Sequence, residues 1–358
     1  MSNRRDLSLW RCVTKLNQTW CPSVLSAIRK PYLLFLGDVK DEASAKTAFG
    51  LADWCPADCL AQWNLPDVGM HLSIPYMNPR EAAAAGAKSM VIAVAPIGGD
   101  IPAHWRASLV TALESGLDLV SGLHVRLSEI PEVRDAAGRC GRALHDVRHP
   151  RQRFNVATGR KRTGKRLLTV GTDCALGKKY TALAIAAEMR ARGKAADFRA
   201  TGQTGIMIAG AGIAIDAVVA DFISGAAEAL SPDNDHAHWD IIEGQGSLFH
   251  PAYAGVTLGL IHGSQADALV LCHDPSRRFI NGFADYSIVP VETAIPKLLD
   301  VARLTNTAAR FVGVSVNSSK LPANERAAVM AQIEDRTGLP CCDPMRDGVA
   351  RIVDGLDG

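Results

Sequence analysis

LLTVGTDCALGKKYTALAIAAEMR, residues 167–190, is the stretch on which the fold turns. The apolar run 167–170 reads as a strand, 171–177 as a glycine-bounded loop, and 178–192 as a helix stopped by Gly193. Successive backbone N–H groups in such a loop turn inward and bind phosphate oxygens. The helix N-terminus adds a partial positive charge, and Lys178 a full one. Gly171 and Gly177 let the backbone bend and approach a ligand closely. The expected cradle comprises Gly171, Thr172, Asp173, Cys174, Ala175, Leu176, Gly177, Lys178 and Lys179, with Thr181 further along the helix. Its spacing is not the standard one. Five residues, not four, separate the glycines, and Lys179 stands where Ser or Thr would ligate magnesium.

Outward from the loop, 195–199, 239–242, 268–272 and 311–316 are β-rich apolar runs suited to the centre of a parallel sheet. Residues 216–230 read as a helix with Asp216 as its N-cap. Toward the N-terminus, strands are expected at 32–36 (ending at Gly37), 90–95 and 117–120, with helices at 81–88 and 101–115. Asn78 suits an N-cap and Pro79 the first helical turn. This alternation predicts an α/β protein: a Rossmann-like parallel-sheet domain at 30–150, followed by a P-loop domain at 166–358. Residues 1–29 read as an extension, and 151–165 as a basic linker. The linker arginines are expected in solvent, the alternative being contact with cofactor phosphates. Gly37, Gly98 and Gly99 do not have GxGxxG spacing, so no dinucleotide site is expected there.

Composition removes several function classes. Of 358 residues, 47% are hydrophobic and 21% charged, with a formal net charge of +2. That balance suits buried cores and gives no global attraction to nucleic acid or anionic membrane. No apolar run reaches the roughly 18 residues of a membrane span. Basic residues scattered through 1–30 argue against a secretory signal. The nine cysteines lack zinc-ligand spacing, so a metal site is not expected, and reduced thiols in the cytoplasm are.

GTDCALGKK resembles the GTDTxVGKT loop of dethiobiotin synthetases, and WDIIEGQGSL at 239–248 resembles their VEGAGGL segment. That likeness implies that Glu243 ends a strand beside the phosphates. A resemblance of wider extent rests on KPYLLFLGDV (30–39), GTDCALGK (171–178), the segment 200–228 and EGQGSLFHPAYAGVTLGLIHGSQADALVLCHDP (243–275). Together they are similar to the family of DgcN-type D-glutamate N-acetyltransferases, from about residue 30 to the C-terminus. This likeness implies acetyl transfer from acetyl-CoA to the amine of D-glutamate. It also implies a partner dehydrogenase acting later on the acetylated product.

Coenzyme A carries phosphates for a cradle to hold, and acetyl transfer needs no phosphoryl chemistry. Lys179 therefore favours acetyl-CoA over ATP and magnesium, unless Thr181, Asp173 or Glu243 restores metal ligation. Attack by an amine needs a general base, and Glu243, His250 and Asp173 are the candidates. Amides in 244–246 or 202–205 suit a developing oxyanion. Gln203, Thr204 and Gln245 suit the substrate carboxylates by hydrogen bonding, and Arg199 by charge. The apolar stretch 206–215 reads as a lid or a packed turn, and the Ala/Gly-rich surface around 206–230 as a face for a second subunit of a homo-oligomer. An ATP-dependent ligase or kinase, and a non-catalytic nucleotide-binding protein, are the competing readings.

Overall fold

The computed structural model describes residues 28–41, 44–65, 70–94, 99–150 and 152–357. The expected N-terminal extension lies outside the described residues, apart from Ile28 and Arg29. The chain forms two units, one reaching Gln152 and including Gln203–Ala214, the other comprising Arg153–Gly202 and Ile215 onward.

The first unit contains β1 (Tyr32–Gly37), α1 (Lys46–Trp54), β2 (Cys59–Asn64), α2 (Pro79–Ala84), β3 (Ser89–Ile92), α3 (Arg106–Glu114), β4 (Asp118–Ser121), α4 (Pro131–Cys140) and β5 (Leu144–Asp146). Its parallel sheet runs β2-β1-β3-β4-β5. Every residue of β1 is buried, as a central parallel strand requires. Asn78 caps α2 by accepting from Arg80 N and Glu81 N, while Glu81 accepts from Asn78 N at 2.9 Å. The helix stops at Ala84, earlier than expected, because Gly86 takes a φ of 106°. A short 3-10 turn, Ala103–Trp105, precedes α3 and replaces the first turn of the expected helix.

At the end of β1, Gly37 has φ 58°, and a Cβ there would lie 2.3 Å from the Trp105 ring. Trp105 Nε1 donates to Asp38 at 2.9 Å. The tryptophan therefore covers the glycine turn that a dinucleotide would approach. Gly99 is backed by His124 in the same way, 2.1 Å from a built Cβ. Gly98 lies outside the described residues.

The second unit contains β6 (Lys165–Gly171), α5 (Lys178–Ala191) and β7 (Ala196–Arg199). The chain then contributes α6 (Gln203–Ala209) to the first unit before returning. There follow α7 (Ile223–Leu230), β8 (Trp239–Ile242), α8 (Ala254–Ser264), β9 (Ala268–His273), the hairpin β10 (Phe279–Ile280) and β11 (Phe283–Ser287), α9 (Val291–Arg303), β12 (Arg310–Val316), α10 (Arg326–Thr337), β13 (Cys341–Cys342) and α11 (Ala350–Asp354). The main sheet is parallel, in the order β13-β12-β9-β6-β8-β7. Its strand ends therefore share one edge, where ligands gather in open α/β sheets.

The structure draws the domain division differently from the sequence reading. Residues 153–165 group with the second unit, and Arg153, Arg160, Lys161 and Lys165 are exposed while Arg162 is buried. Arg162 donates to Ser231 O (2.8 Å), Gly263 O (2.8 Å) and Ser264 O (3.1 Å), just past α7 and at the end of α8. These are carbonyls that a helix cannot satisfy internally and that attract cations. Lys161 pairs with Asp267 at 2.6 Å, at the amino end of β9, and Arg160 with Asp233. These three basic side chains thus serve helix ends and the amino edge of the sheet, away from the loop that follows β6.

The segment 203–214 belongs to the first unit because α6 packs on α1. Thr204 Oγ1 meets Thr47 Oγ1 at 3.0 Å, and Tyr32 donates to Met207 O at 3.3 Å. Ile206, Met207 and Ile208 are buried, which makes this stretch a packed element. The expected helix at 216–230 is broken into two 3-10 turns, Ile215–Ala217 and Ala220–Phe222, before α7. Asp216 lies in the first turn and does not cap α7. The small face of α7 is taken up by α8 of the same chain, where a Cβ at Gly263 would lie 2.2 Å from Ser224 O. No helix among the described residues is long and apolar enough to cross a membrane.

Glycine inside a helix costs about 1 kcal/mol relative to alanine, so α8 keeps Gly259 and Gly263 for close approach. Gly263→Ala is expected to destabilise the protein by about 1–3 kcal/mol. Thermal unfolding followed by circular dichroism checks this, and an unchanged melting temperature would rule out the tight α7–α8 contact.

Candidate functional site

β6 ends at Gly171, and the chain bends through 172–177 before α5 begins at Lys178. Gly177 has φ 105° and Ala175 φ 53°. The alanine accepts a left-handed conformation at a cost of about 1–2 kcal/mol. Turns with left-handed residues of this kind form concavities of successive N–H groups that suit anions. The amides of Ala175, Leu176 and Gly177 have no acceptor among the described residues. Lys178 Nζ is buried beside them and donates to Asp173 O at 2.9 Å. Burial holds its pKa below the usual lysine value. The loop thus offers a set of donors and one ammonium group to an anion.

Asp173 is fully buried and fully engaged. Oδ1 accepts from Cys174 N at 2.6 Å; Oδ2 accepts from Arg277 Nη1 at 2.7 Å and Asn281 N at 2.9 Å. Thr172 Oγ1 meets His273 Nδ1 at 3.0 Å, joining the loop to the end of β9. Leu176 is buried and anchors the turn.

Glu243 follows β8, next to β6 in the sheet. Its Oε2 accepts from Thr201 N (2.9 Å) and Gly202 N (3.0 Å). Oε1 accepts no hydrogen bond among the described residues. Burial raises its pKa to about 6, against the opposing pull of the two amides and the Lys179 charge. Gly244 N donates to Thr169 Oγ1 at 2.9 Å, and a Cβ on Gly244 would fall 1.7 Å from Thr169 O and 3.0 Å from Lys178 Cδ. Only glycine lets this turn lie flat against β6 and bring Glu243 beside the cradle. Ser247 Oγ donates to Gly171 O at 2.9 Å, tying the same turn to the loop.

Of the three candidate bases, Glu243 alone presents an unengaged atom. His250 Nδ1 accepts from Ala252 N at 3.1 Å, and Nε2 faces Asn281 O at 3.3 Å. Its ring lies between Tyr253 and Phe283, at 4.5 and 5.1 Å between centroids. Packing and hydrogen bonding thus engage His250, as the contacts above engage Asp173, both of which were expected as candidate bases. Ligand atoms of Asp173, Cys174 and His250 lie within 4.8 Å of one another, a grouping the sequence reading did not anticipate. The contacts above already engage the aspartate and both ring nitrogens.

Arg199 also departs from expectation. Its Nε donates to Asp240 at 2.7 Å and Nη2 lies 3.5 Å from Asp197. Both acids precede it along the strands, so the guanidinium turns back toward the amino edge of the sheet. Gln245 lies against Gly202, where a Cβ would be 2.2 Å from Nε2. Gln203 and Thr204 fold with the first unit, Gln203 against Gly122 and Thr204 on Thr47. Of the turns expected to hold an oxyanion, Gly202 N and Gly244 N are engaged, whereas Gln245 N and Gly246 N have no acceptor among the described residues.

A P-loop fold implies magnesium, and these residues do not fit it. Lys179 replaces the ligating hydroxyl. Thr181 Oγ1 lies 2.7 Å from Ser315 Oγ and donates to Gly177 O at 3.2 Å, so its hydroxyl is engaged with the protein. Asp274, at the end of β9, accepts from Ser276 N and Oγ and lies 3.5 Å from Arg277 Nε.

Residues 155–353 match a family model described as the P-loop domain of a domain of unknown function, DUF1611_C, and 65–150 match its Rossmann-like counterpart, DUF1611_N. The chain belongs to the DUF1611 family. The crystal structure of a DUF1611 family protein from Anabaena variabilis is similar, with a TM-score of 0.81 and 32% identity, covering 92% of this chain and 99% of that one. A D-glutamate N-acetyltransferase of Tritonibacter scottomollicae is 51% identical over 329 residues, 92% of this chain and 99% of the relative. A D-glutamate N-acetyltransferase of a Pseudoalteromonas species is 46% identical over the same shares. The DUF1611 P-loop model spans 203–214, which in this chain folds with the Rossmann-like unit.

Two features were missed from the sequence of this DUF1611 protein: Arg277, and the Thr201–Gly202 amides that hold Glu243. Arg277 sits in an ordinary polar stretch, and nothing local signals its partners about 100 residues away. Replacing Gly244 by alanine is expected to displace the Glu243 turn from β6. The variant should lose binding of phosphate-bearing ligands while costing about 1–3 kcal/mol of stability. Calorimetric titration with pyrophosphate, beside a thermal melt, checks this, and wild-type affinity in Gly244→Ala contradicts it.

Proposed function

We propose that this chain is an N-acetyltransferase that moves acetyl from acetyl-CoA to the amino group of D-glutamate, with the P-loop gripping the coenzyme's phosphates. The substrate reading rests on relatives named D-glutamate N-acetyltransferase, which match 92% of the chain at 51% and 46% identity. The donor reading is carried by one observation: the amides at 175–177, without acceptors among the described residues, share a loop with a buried Lys178 where magnesium ligation is not supported. Such a cradle suits an anionic handle that only has to be held. ATP used as a phosphoryl donor needs a metal to neutralise the charge in transit.

In this reading, Glu243 Oε1 takes a proton from the substrate's ammonium group, freeing the amine. The amine nitrogen attacks the thioester carbonyl carbon, and the C=O π electrons move to oxygen. Gln245 N and Gly246 N are the proposed donors to that oxyanion. Collapse breaks the C–S bond, and the sulfur leaves as thiolate. The proton that the nitrogen loses passes to the thiolate, giving coenzyme A and the N-acetyl amino acid. A pKa of about 6 keeps Glu243 ionised at neutral pH and still basic enough to act. The proposed partner is a dehydrogenase that consumes the acetylated product, in a D-amino-acid breakdown sequence in the cytoplasm.

A thiol-release assay with D- and L-glutamate, with and without ATP, separates this reading from an ATP-dependent one. Acetyl-CoA-dependent release with D-glutamate and no ATP requirement is expected, and release that needs ATP and magnesium would sink the proposal. Lys178→Ala should weaken acetyl-CoA binding at least about tenfold, the equivalent of 1.4 kcal/mol.

The acidic limb of kcat/KM should rise with an apparent pKa of about 6 and vanish in Glu243→Gln. That variant should lose about 10²–10⁴-fold in rate. Because the folded pKa lies above the unfolded one, ionised Glu243 lowers stability as pH rises from the ordinary carboxyl range through 6. Glu243→Gln should therefore melt no lower than wild type at pH 8. A rate limb that persists in the variant excludes Glu243 as the base.

A further inference from the structure

Arg277 meets the loop through its carbonyl oxygens and the Asp173 carboxylate. It follows β9 by a tight turn in which Ser276 N and Oγ bond to Asp274, and Arg277 N bonds to Asp274 O at 3.1 Å. From there the guanidinium reaches the P-loop at three points. Nη1 donates to Asp173 Oδ2 (2.7 Å) and Cys174 O (2.8 Å), and Nη2 donates to Ala175 O (2.9 Å). Its Nε edge faces Asp274 Oδ2 at 3.5 Å.

A trans peptide points its C=O and N–H in opposite directions. Pinning Cys174 O and Ala175 O to one planar cation therefore turns the N–H groups of Ala175 and Leu176 the other way. Those are two of the three amides left without an acceptor among the described residues. The third carbonyl in the run, Asp173 O, is held by Lys178 Nζ. Asn281 N, in the hairpin turn, shares Asp173 Oδ2 and so fixes the carboxylate that orients the guanidinium.

We propose that Arg277 is the positioning residue of the phosphate cradle: by fixing the outward carbonyls of Cys174 and Ala175, it aims the loop's amides at the coenzyme's pyrophosphate. This rests on the reading of the cradle as a coenzyme A site, and it adds the residue that sets the cradle's affinity. A planar fork that serves three acceptors at once is not replaced by a point charge on a flexible stem. Lysine at this position should therefore rescue little.

The test compares acetyl-CoA with S-acetylpantetheine, which offers the same thioester without the phosphates. In Arg277→Ala, the ratio of kcat/KM for acetyl-CoA to that for S-acetylpantetheine should fall about 30-fold, the worth of roughly one or two charge-assisted hydrogen bonds. The change should appear in KM for acetyl-CoA rather than in kcat. Arg277→Lys should recover less than about a third of it. An unchanged ratio, or full rescue by lysine, overturns the inference. A variant that merely folds poorly lowers both donors together and leaves the ratio unchanged. Titration with inorganic pyrophosphate keeps the two readings apart. If the wild type transfers no acetyl yet binds pyrophosphate, weaker binding by Arg277→Ala upholds the positioning role while the proposed function fails. Equal binding by the two proteins, or none by the wild type, rejects the positioning role.

Discussion

A buried ammonium group in a loop whose amides lack acceptors among the described residues is the constraint around which the second unit is built. A buried cation and unpaired donors are each unfavourable in a dry interior. An anion held there would offset both costs. The neighbouring groups are arranged to keep the amides from finding partners of their own. Asp173 turns its carboxylate away to Arg277 and Asn281, the outward carbonyls of 174 and 175 are held from behind, and Ala175 keeps a left-handed backbone. Thr181, in the first turn of α5, bonds to Ser315 on β12.

Glu243 illustrates a second balance. Burial raises the pKa of its carboxyl, whereas the Thr201 and Gly202 amides favour the ionised form. They meet near pH 6, where one oxygen is anchored and the other is available. The glycine at 244 makes this possible, since any side chain there would force the turn off β6. Position and protonation state are thus set by the same few residues.

Much of the architecture was legible in the sequence, because it is written in local patterns. The apolar runs of the strands, the Asn78–Glu81 cap and the glycine–lysine loop each carry their signal within a few residues. What could not be read depends on partners far along the chain. Arg199 looked like a carboxylate receptor, but Asp240, which lies opposite Asp197 in the next strand, pairs with it. Of the basic residues at 160–162, expected in solvent or at phosphates, Arg160 and Lys161 are exposed and pair with surface acids, whereas helix-end carbonyls claim the buried Arg162. The helix expected at 216–230 kept only its second half, because Ile215 N bonds back to Thr201 O and Val218 N to Ile215 O in a 3-10 turn. His250 carried the right chemistry for a base, yet its neighbours at 252 and 281 engage both nitrogens.

Helix α6 also bears on how such a protein is inherited. Its residues lie within the span of the P-loop family model, yet Met207 and Thr204 bond into the Rossmann-like unit. A gene fragment cut near position 152 would encode a sheet stripped of one of its covering helices, and the complementary fragment would carry an orphaned apolar helix. The halves are therefore not interchangeable cassettes, and recombination that swaps one must bring a matching α6 or lose the fold.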